Sequence, residues 1–469
     1  MIEAQRRMAA GDLGFIEEPA LVEFVRTQRW FGGKSREVTH VGVLDAAPMR
    51  GGDSPLVDAL VEVRYQAGTH DVYQLLIGLR DEAEPDCALG WADGRVAVEA
   101  LSDPTDAREL GRLLADAAHV EAGEGAIDFY LVPGALPPAA PLTARRLGAE
   151  QSNSSIVFDE ELMLKAYRRL EPGVNPELEL LRFLSERGFA NIPELVGWYE
   201  YSGRLMAATL GIVQRFVRGG IDGWSLALEM LTSGDGDLFL GHAERLGDLT
   251  GRMHACLGSE PAEPAFAPEE PSAESLAILS ATIEDEVSQL FSALPDSDAL
   301  APLRGLEEDV RERLRMLPHA ASGGRRIRHH GDYHLGQVLW AGDDWMVLDF
   351  EGEPARSMPE RRRKRSPLRD AAGMLRSFGY AAAAARQFHG VEPPPMWEER
   401  AREAFLEAYL PHVEAARLLP TSRGFTEELL RIFELEKAVY ELRYELDHRP
   451  DWVGISVAGI VKLLEPAGP

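Results

Sequence analysis

The run LVDALVEVRYQAGTHDVYQLLIGL, residues 56–79, is two apolar-rich segments on either side of a polar QAGTH break, the first of them alternating. In its first half Val57, Ala59, Val61, Val63 and Tyr65 share one face, while Asp58, Glu62 and Arg64 point the other way. That pattern predicts two strands joined as a hairpin. LVEFVRTQRWF before it has the spacing of a short helix, and together these elements predict a first unit ending near residue 90. From about 91 to 135 the spacing turns helical, most clearly in DARELGRLLADAAHV, and the Pro-rich VPGALPPAAPL marks a break. Beyond it TARRLGAE and SIVFDEELMLKAYRRL read as a strand pair around the loop QSNSS. The helix PELELLRFLSERGF follows, with Pro176 suited to its first position, and LMAATLGIVQRFV reads as a buried strand. The remainder is mostly helical, with GSEPAEPAFAPEEPSAES as an exposed Pro- and Glu-rich connection. No internal repeat is visible.

The length of 469 residues allows about two to four compact units, and 45% hydrophobic content supplies their cores. A formal charge of −28 argues against nucleic acid as a partner, because phosphate backbones need a basic surface. Two cysteines, Cys87 and Cys256, offer no disulfide framework and suit a reducing cytoplasm. The opening residues lack the apolar core of a signal peptide, and no window of 18 apolar residues exists. The expectation is a cytoplasmic protein without a membrane partner.

One segment concentrates chemistry: HGDYHLGQVLWAGDDWMVLDF, residues 330–350. Phosphoryl transfer from ATP needs a carboxylate beside the acceptor hydroxyl and oxygen ligands for magnesium. Asp332 fits the base, Gln337 the amide ligand five residues on, and Asp349 the second ligand after the next apolar run. Gln337 stands where kinases usually carry Asn, one methylene longer. The same stretch admits a zinc site, since His330 and His334 are spaced as on a helix, although Gly331 and Gly336 disfavour one.

A kinase also needs a strand lysine locked by a helix glutamate. Lys165 lies on ELMLKAY, sharing a face with Met163 and Tyr167, and the following helix offers Glu177 and Glu179. The loop QSNSS has no glycine, but Ser152, Asn153 and Ser154 offer hydroxyl, amide and backbone donors to phosphate oxygens. The end of the next strand, Gln214, Phe216 and Val217, would pair its backbone with adenine.

In this order the parts resemble bacterial maltokinases, within the aminoglycoside-phosphotransferase-like kinases. The resemblance rests on RWFGGKSR, QSNSSIVFDEELMLKAYRRLEPGVNPELEL, HGDYHLGQVLW with VLDFEGEPARSMPERRRKRSPLRDAAGMLRSFGYAA, and FELEKAVYELRYELDHRPDW, and so spans almost the whole chain. It implies an α+β, bilobal, eukaryotic-protein-kinase-like fold with an N-terminal α+β cap. The segments would be 1–90 for the cap, 91–217 for an intermediate stretch and nucleotide lobe, and 218–469 for a mostly helical lobe. It implies Asp332 as base, Gln337 and Asp349 as magnesium ligands and Lys165 on the phosphates. The NPELE match favours Glu179 as the lysine's partner, and Asp370 would brace the catalytic loop without doing chemistry.

On the acceptor side DFEGEP adds Glu351 and Glu353 beside the metal. The basic run Arg361 to Arg365 reads as a solvated loop, or as a loop that steers ATP. The helix near 425–447 carries a core stripe, Leu435, Val439, Leu442 and Leu446. Its other face, Lys437, Tyr440, Glu441 and Tyr444, combines stacking surfaces with hydroxyl-binding charges, and in the resembled family the maltose site lies there.

The reading is therefore an ATP- and Mg2+-dependent sugar kinase, a monomer or homodimer, making maltose 1-phosphate. Glucosamine kinases built on the same scaffold give the close alternative, with extra carboxylates suiting an ammonium group. A metal-dependent hydrolase using His329, His330, His334 and Asp332, and a nonenzymatic sensor, are the other classes.

Overall fold

The computed structural model describes residues 3–82, 87–134, 142–148, 153–259, 263–317, 324–354 and 356–465. The Pro-rich passage 132–142 falls largely outside them. The chain forms two compact units, Met1–Ser185 with Pro193–Arg218, and Glu186–Ile192 with Gly219–Pro469. The expected cap and nucleotide lobe are thus parts of one unit, and the boundary expected at 90 falls inside a strand.

The first unit holds two sheets. The strands β1 (Val38–Arg50), β2 (Leu56–Tyr65), β3 (His70–Arg80), β4 (Ala88–Ala92) and β5 (Arg95–Glu99) pair antiparallel in the order β1-β2-β3-β5-β4. The hairpin expected at 56–79 is present, with Leu60 opposite Gln74. Its outer face is also covered: Asp58 is 0% exposed and accepts from Gln74 Nε2 at 2.6 Å. Burial pushes the Asp58 carboxyl up to about 7, against that hydrogen bond. On the other face Trp30 and Phe31 of RWFGGKSR pack against Tyr73 and fill the core beneath the sheet.

The stretch expected to be helical over 91–135 is a helix only at Pro104–Ala115. After it the chain returns as β6 (His119–Glu121) and β7 (Gly125–Leu131). These join β8 (Ala144–Leu147), β9 (Asn153–Phe158), β10 (Leu162–Tyr167), β12 (Leu195–Gly203) and β13 (Ala207–Arg215) in a sheet ordered β6-β7-β12-β13-β10-β9-β8. The short β11 (Arg169–Leu170) leaves that sheet to pair with β3, Arg169 opposite Tyr73.

Between the two sheets lies Arg168, 1% exposed. Its guanidinium pairs with Glu99 at 2.7 Å, donates to Ser154 Oγ at 2.8 Å and stacks over Trp30. A buried charge is tolerated only when paired and hydrogen-bonded, and this one ties the cap to the nucleotide strand β9.

The second unit is mostly helical, with β14 (Ile221–Asp222), β15 (Val338–Ala341) and β16 (Asp344–Val347) as its sheet. The Pro- and Glu-rich connection is more anchored than its composition suggested. Phe266 is 1% exposed beneath Arg328, and Lys364 donates to the Pro264 carbonyl at 2.7 Å and to Glu269. No helix of the described residues is long and apolar enough to cross a membrane.

Replacing Arg168 by Met takes the cation from a buried carboxylate, a change that costs about 3–5 kcal/mol. Urea melts should show that loss for Arg168→Met and recovery of most of it when Glu99→Gln is added. Equal melts for the two variants would contradict the pairing.

Candidate active site

The turn Gly342–Asp343 has φ of +59° and +71° at its two central residues, the geometry of a tight hairpin. It closes β15 against β16 with Val338 opposite Val347. The register sets Gln337 beside Leu348, whose N–H donates to the Gln337 carbonyl at 2.9 Å. Asp349 follows with φ +59°, a conformation that non-glycine residues rarely adopt and that clusters at functional sites. Gln337 Nε2 donates to Asp349 Oδ2 at 3.3 Å, so the two expected metal ligands meet. One carboxylate oxygen of Glu351 lies within 4.8 Å of one on Asp349. Carboxylate and amide oxygens form a hard donor set, which fits Mg2+.

The loop that carries Asp332 is organised by Asp370, in the first turn of the helix Leu368–His389. Asp370 accepts from the backbone N–H groups of His330 at 2.8 Å and Gly331 at 3.0 Å, and from His254 Nε2 at 3.0 Å. Burial alone would push its carboxyl up, but His329 and the hydrogen bond from His254 hold it well below the usual range. Gly373 lets the same helix approach closely, since a Cβ there would stand 2.5 Å from the Tyr333 carbonyl. His330 Nε2 donates to the Leu348 carbonyl at 2.8 Å, which leaves Nδ1 to accept the Asp332 N–H at 3.3 Å. Both ring nitrogens are engaged, and among the described residues no cluster of ligand groups includes a histidine. The zinc reading thereby loses His330 as a ligand.

Lys437 Nζ donates to Asp332 Oδ1 at 3.0 Å and to Glu353 Oε1 at 3.3 Å. Burial alone would raise the Asp332 carboxyl, but the Lys437 charge holds it at about 2. Against burial, Asp332 and Glu353 in turn raise Lys437 well above its usual value. Lys437 also lies 4.8 Å from the Tyr440 ring centroid. On the same helix, Arg423–His448, Glu441 receives two bonds from Arg376, at 3.0 and 2.7 Å, and Tyr444 stacks on His448. Arg376, His254 and the Lys437–Asp332 contact were not singled out in the sequence. Leu446 of the expected core stripe is only half-buried.

On the nucleotide side Lys165 Nζ donates to Glu177 Oε2 at 2.8 Å, with both residues buried. Glu177, not Glu179, is therefore the carboxylate on the lysine. Two residues apart on a helix, the two face different ways, and Glu179 is half-buried. Ser154 is also corrected, because its hydroxyl accepts from Arg168 on the face of β9 turned away from Lys165. The residue opposite Lys165 is Ser155, and Asn153 stands opposite Tyr167 on the same face. Ser152 lies outside the described residues.

At the strand end, Gln214 is flanked by Met163 and Leu195 in the ladder, and the Phe216 N–H goes to the Glu161 carbonyl at 2.8 Å. Val217, past the ladder, remains the candidate for an adenine contact.

With a carboxyl at about 2, Asp332 stays ionised through neutral and mildly acid pH, so it contributes no acid limb to kcat/KM above about pH 4. Its folded-state carboxyl is depressed. The stability it contributes is thus present above the unfolded value of about 3.9 and lost as pH falls toward 2. Lys437→Met leaves burial dominant and should bring an acid limb up into the measurable range, whatever its effect on the plateau. A kcat/KM profile of unchanged shape would refute the coupling. Separately, Glu177→Gln should raise KM for ATP and lower kcat by at least about tenfold, while Glu179→Gln stays near wild type. Steady-state kinetics of the two variants decide between them.

The sequence matches the maltokinase N-terminal cap domain over residues 24–119 and the phosphotransferase enzyme family over residues 143–419. It is 28% identical over 352 residues to a glucosamine kinase of Streptacidiphilus jiangxiensis, covering 72% of this chain and 77% of that protein. A glucosamine kinase of Mycolicibacterium smegmatis is 26% identical over 329 residues, 68% of this chain and 79% of its own. The structure of a glucosamine kinase in complex with glucosamine, ADP and inorganic phosphate superposes with a TM-score of 0.67 at 22% identity. That match covers 94% of this chain and 99% of the other. A further glucosamine kinase structure, crystal form B, gives 0.71 at 22% identity over 99% of this chain and 100% of its own. This fold, the family match over residues 143–419 and a lysine–glutamate pair on the nucleotide strand lead to one conclusion: the chain belongs to the phosphotransferase enzyme family and carries a maltokinase-type N-terminal cap.

Proposed function

We propose that this kinase transfers the γ-phosphoryl group of ATP to a neutral sugar, maltose, at its anomeric hydroxyl. The observation that carries the choice of acceptor is charge compensation around Asp332. Lys437 pairs with Asp332 and Glu353, Arg356 also pairs with Glu353, and Arg376 pairs with Glu441. An ammonium group such as that of glucosamine gains most from a carboxylate that lacks a cation, and these carboxylates already have one. Tyr440 and Tyr444, both half-buried, offer ring faces to the apolar surface of a sugar. The glucosamine kinase relatives support a sugar as the acceptor class.

In this reading Asp332 accepts the hydrogen bond of the attacking hydroxyl and takes its proton as the phosphoryl group transfers. A carboxyl at about 2 is a weak base, which suits a loose transition state in which the proton moves late. Its first task is then orientation. Lys165, fixed by Glu177, binds the α- and β-phosphates, while Gln337 and Asp349 would hold magnesium. When bound, magnesium neutralises charge on the β- and γ-phosphates. Asp332→Asn should lower kcat by about 10²–10⁴ with little change in KM for ATP.

Maltose and glucosamine, each supplied with ATP and Mg2+ and followed by ADP release, separate the readings. Preferential turnover of maltose supports the proposal. Preference for glucosamine would replace maltose with an aminosugar, and turnover of neither would sink the sugar reading.

A further inference from the structure

The basic run Arg361 to Arg365 was expected to be solvated, and this holds for Arg363 only, the other four being half-buried. Arg361 and Arg365 line a cavity in the second unit with Arg356, Arg369, His329 and Glu436, and neither Asp332, Gln337 nor Asp349 lines it. The cavity's carboxylates have partners other than Arg365, although Oε2 of Glu436 makes no hydrogen bond and its charge acts on Arg365 from nearby. Glu353 holds Lys437 and Arg356, Glu436 holds Arg369, Glu360 accepts from Ser357, and Asp370 accepts from the catalytic loop. Glu286 lies within 4.0 Å of Arg356, and burial pushes its carboxyl upward, toward the neutral form. Arg365 is left over: among the described residues its guanidinium has neither an ion pair nor a hydrogen bond. Burial, with Arg369 alongside, pushes it down to about 10, the sign of a cation short of countercharge.

Other buried polar atoms of the lining residues lack partners among the described residues, among them the donors Nη1 of Arg369 and Nδ1 of His329 and the acceptor Oε2 of Glu436. His329 is 7% exposed, and burial holds it near 3, so the ring is neutral and its Nδ1 is free to carry a proton as donor. The backbone beneath is fixed, since Arg365 and Ile327 exchange both N–H···O bonds at 2.9 Å. Spare donors around a half-buried guanidinium that has no ion pair are the complement of a compact oxyanion.

We propose that this cavity is a phosphoryl-oxyanion site in which Arg365 and Arg369 hold the anion and His329 donates from Nδ1. Its ligand is inorganic phosphate or the phosphate of a sugar phosphate, which share the chemistry the arginines recognise. One wall is Lys437, the partner of Asp332, so the anion lies one side chain from the catalytic carboxylate. The site does not depend on which sugar is the acceptor.

Thermal melts of the full chain in zwitterionic buffer, with inorganic phosphate as the probe, test it. Wild type should melt higher as phosphate rises, following simple binding linkage. Arg365→Met should melt above wild type without phosphate, because a half-buried cation without an ion pair is gone, and should gain nothing when phosphate is added. Arg365→Lys should respond with about tenfold weaker affinity, since an ammonium cannot grip two oxygens as a planar fork does. Lys165→Met, altered on the nucleotide strand, should respond like wild type.

A full response in Arg365→Met overturns the proposal, as does a response lost in Lys165→Met, which would place phosphate in the nucleotide site. If Arg365→Met fails to fold, Arg365→Lys decides, and an undiminished affinity there overturns it. Repeating the melts with maltose 1-phosphate identifies the source: a larger Arg365-dependent shift assigns the sugar phosphate, an equal or smaller one the free ion. No shift of wild type with either anion overturns the site.

Discussion

One buried carboxylate governs the second unit. The segment around residues 329–337 is irregular, so its backbone N–H groups have no ladder or helix to satisfy them, and unsatisfied buried donors are costly. Asp370 takes two of them and a histidine as well, from a helix start where a negative charge is favoured. The rest follows from that anchor. Gly331 adopts φ +92° to present consecutive N–H groups, and His330 is turned so that one nitrogen reaches the strand end and the other the Asp332 amide. Asp332 is held by backbone on one side and by Lys437 on the other.

That second hold has a chemical consequence. A carboxylate and an ammonium buried together stabilise each other's charged forms, so Asp332 is a fixed negative charge rather than a group poised near neutrality. Enzymes that abstract protons from carbon need a base matched to the operating pH. Phosphoryl transfer asks less, because the hydroxyl becomes strongly acidic only as the new bond forms. The geometry of Asp332 is therefore better matched to a kinase than to a hydrolase whose carboxylate must activate water, and the occupied nitrogens of His330 point the same way.

Much of this was legible in the sequence, and what was missed has three physical causes. The hairpin at 56–79, the Lys165 strand, the helix starting at Pro176 and the Asp332–Gln337–Asp349 spacing all follow from periodicity and motif. Glu179 and Ser154 were misplaced because composition names the residue types on an element without fixing which side they face. Glu177 and Glu179, or Ser154 and Ser155, are equivalent as letters, and only packing on both sides of the sheet separates them. Residues 119–131 were missed as strands because β6 has only three residues and the pair lies next to a strong helix signal. Arg376, Lys437 and Arg365 illustrate a third limit: a charge looks solvated until its long-range partner, or the lack of one, is known.

The two sides of β9 show why the cap sits on the kinase domain rather than beside it. Ser155 lies across from Lys165 on one face, while Ser154 on the other is held by Arg168 and, through it, by Glu99. Neighbouring residues on one strand cannot move independently, since a shift of one residue exchanges the faces of all of them. Whatever fixes Ser154 thus fixes the height of Lys165 in the sheet. The bond is buried and charge-assisted, and β11 is paired to β3 immediately after it, so the strand is pinned at two consecutive points. The cap acts on β9 from behind as a strut, through Arg168 and the pairing of β11 with β3.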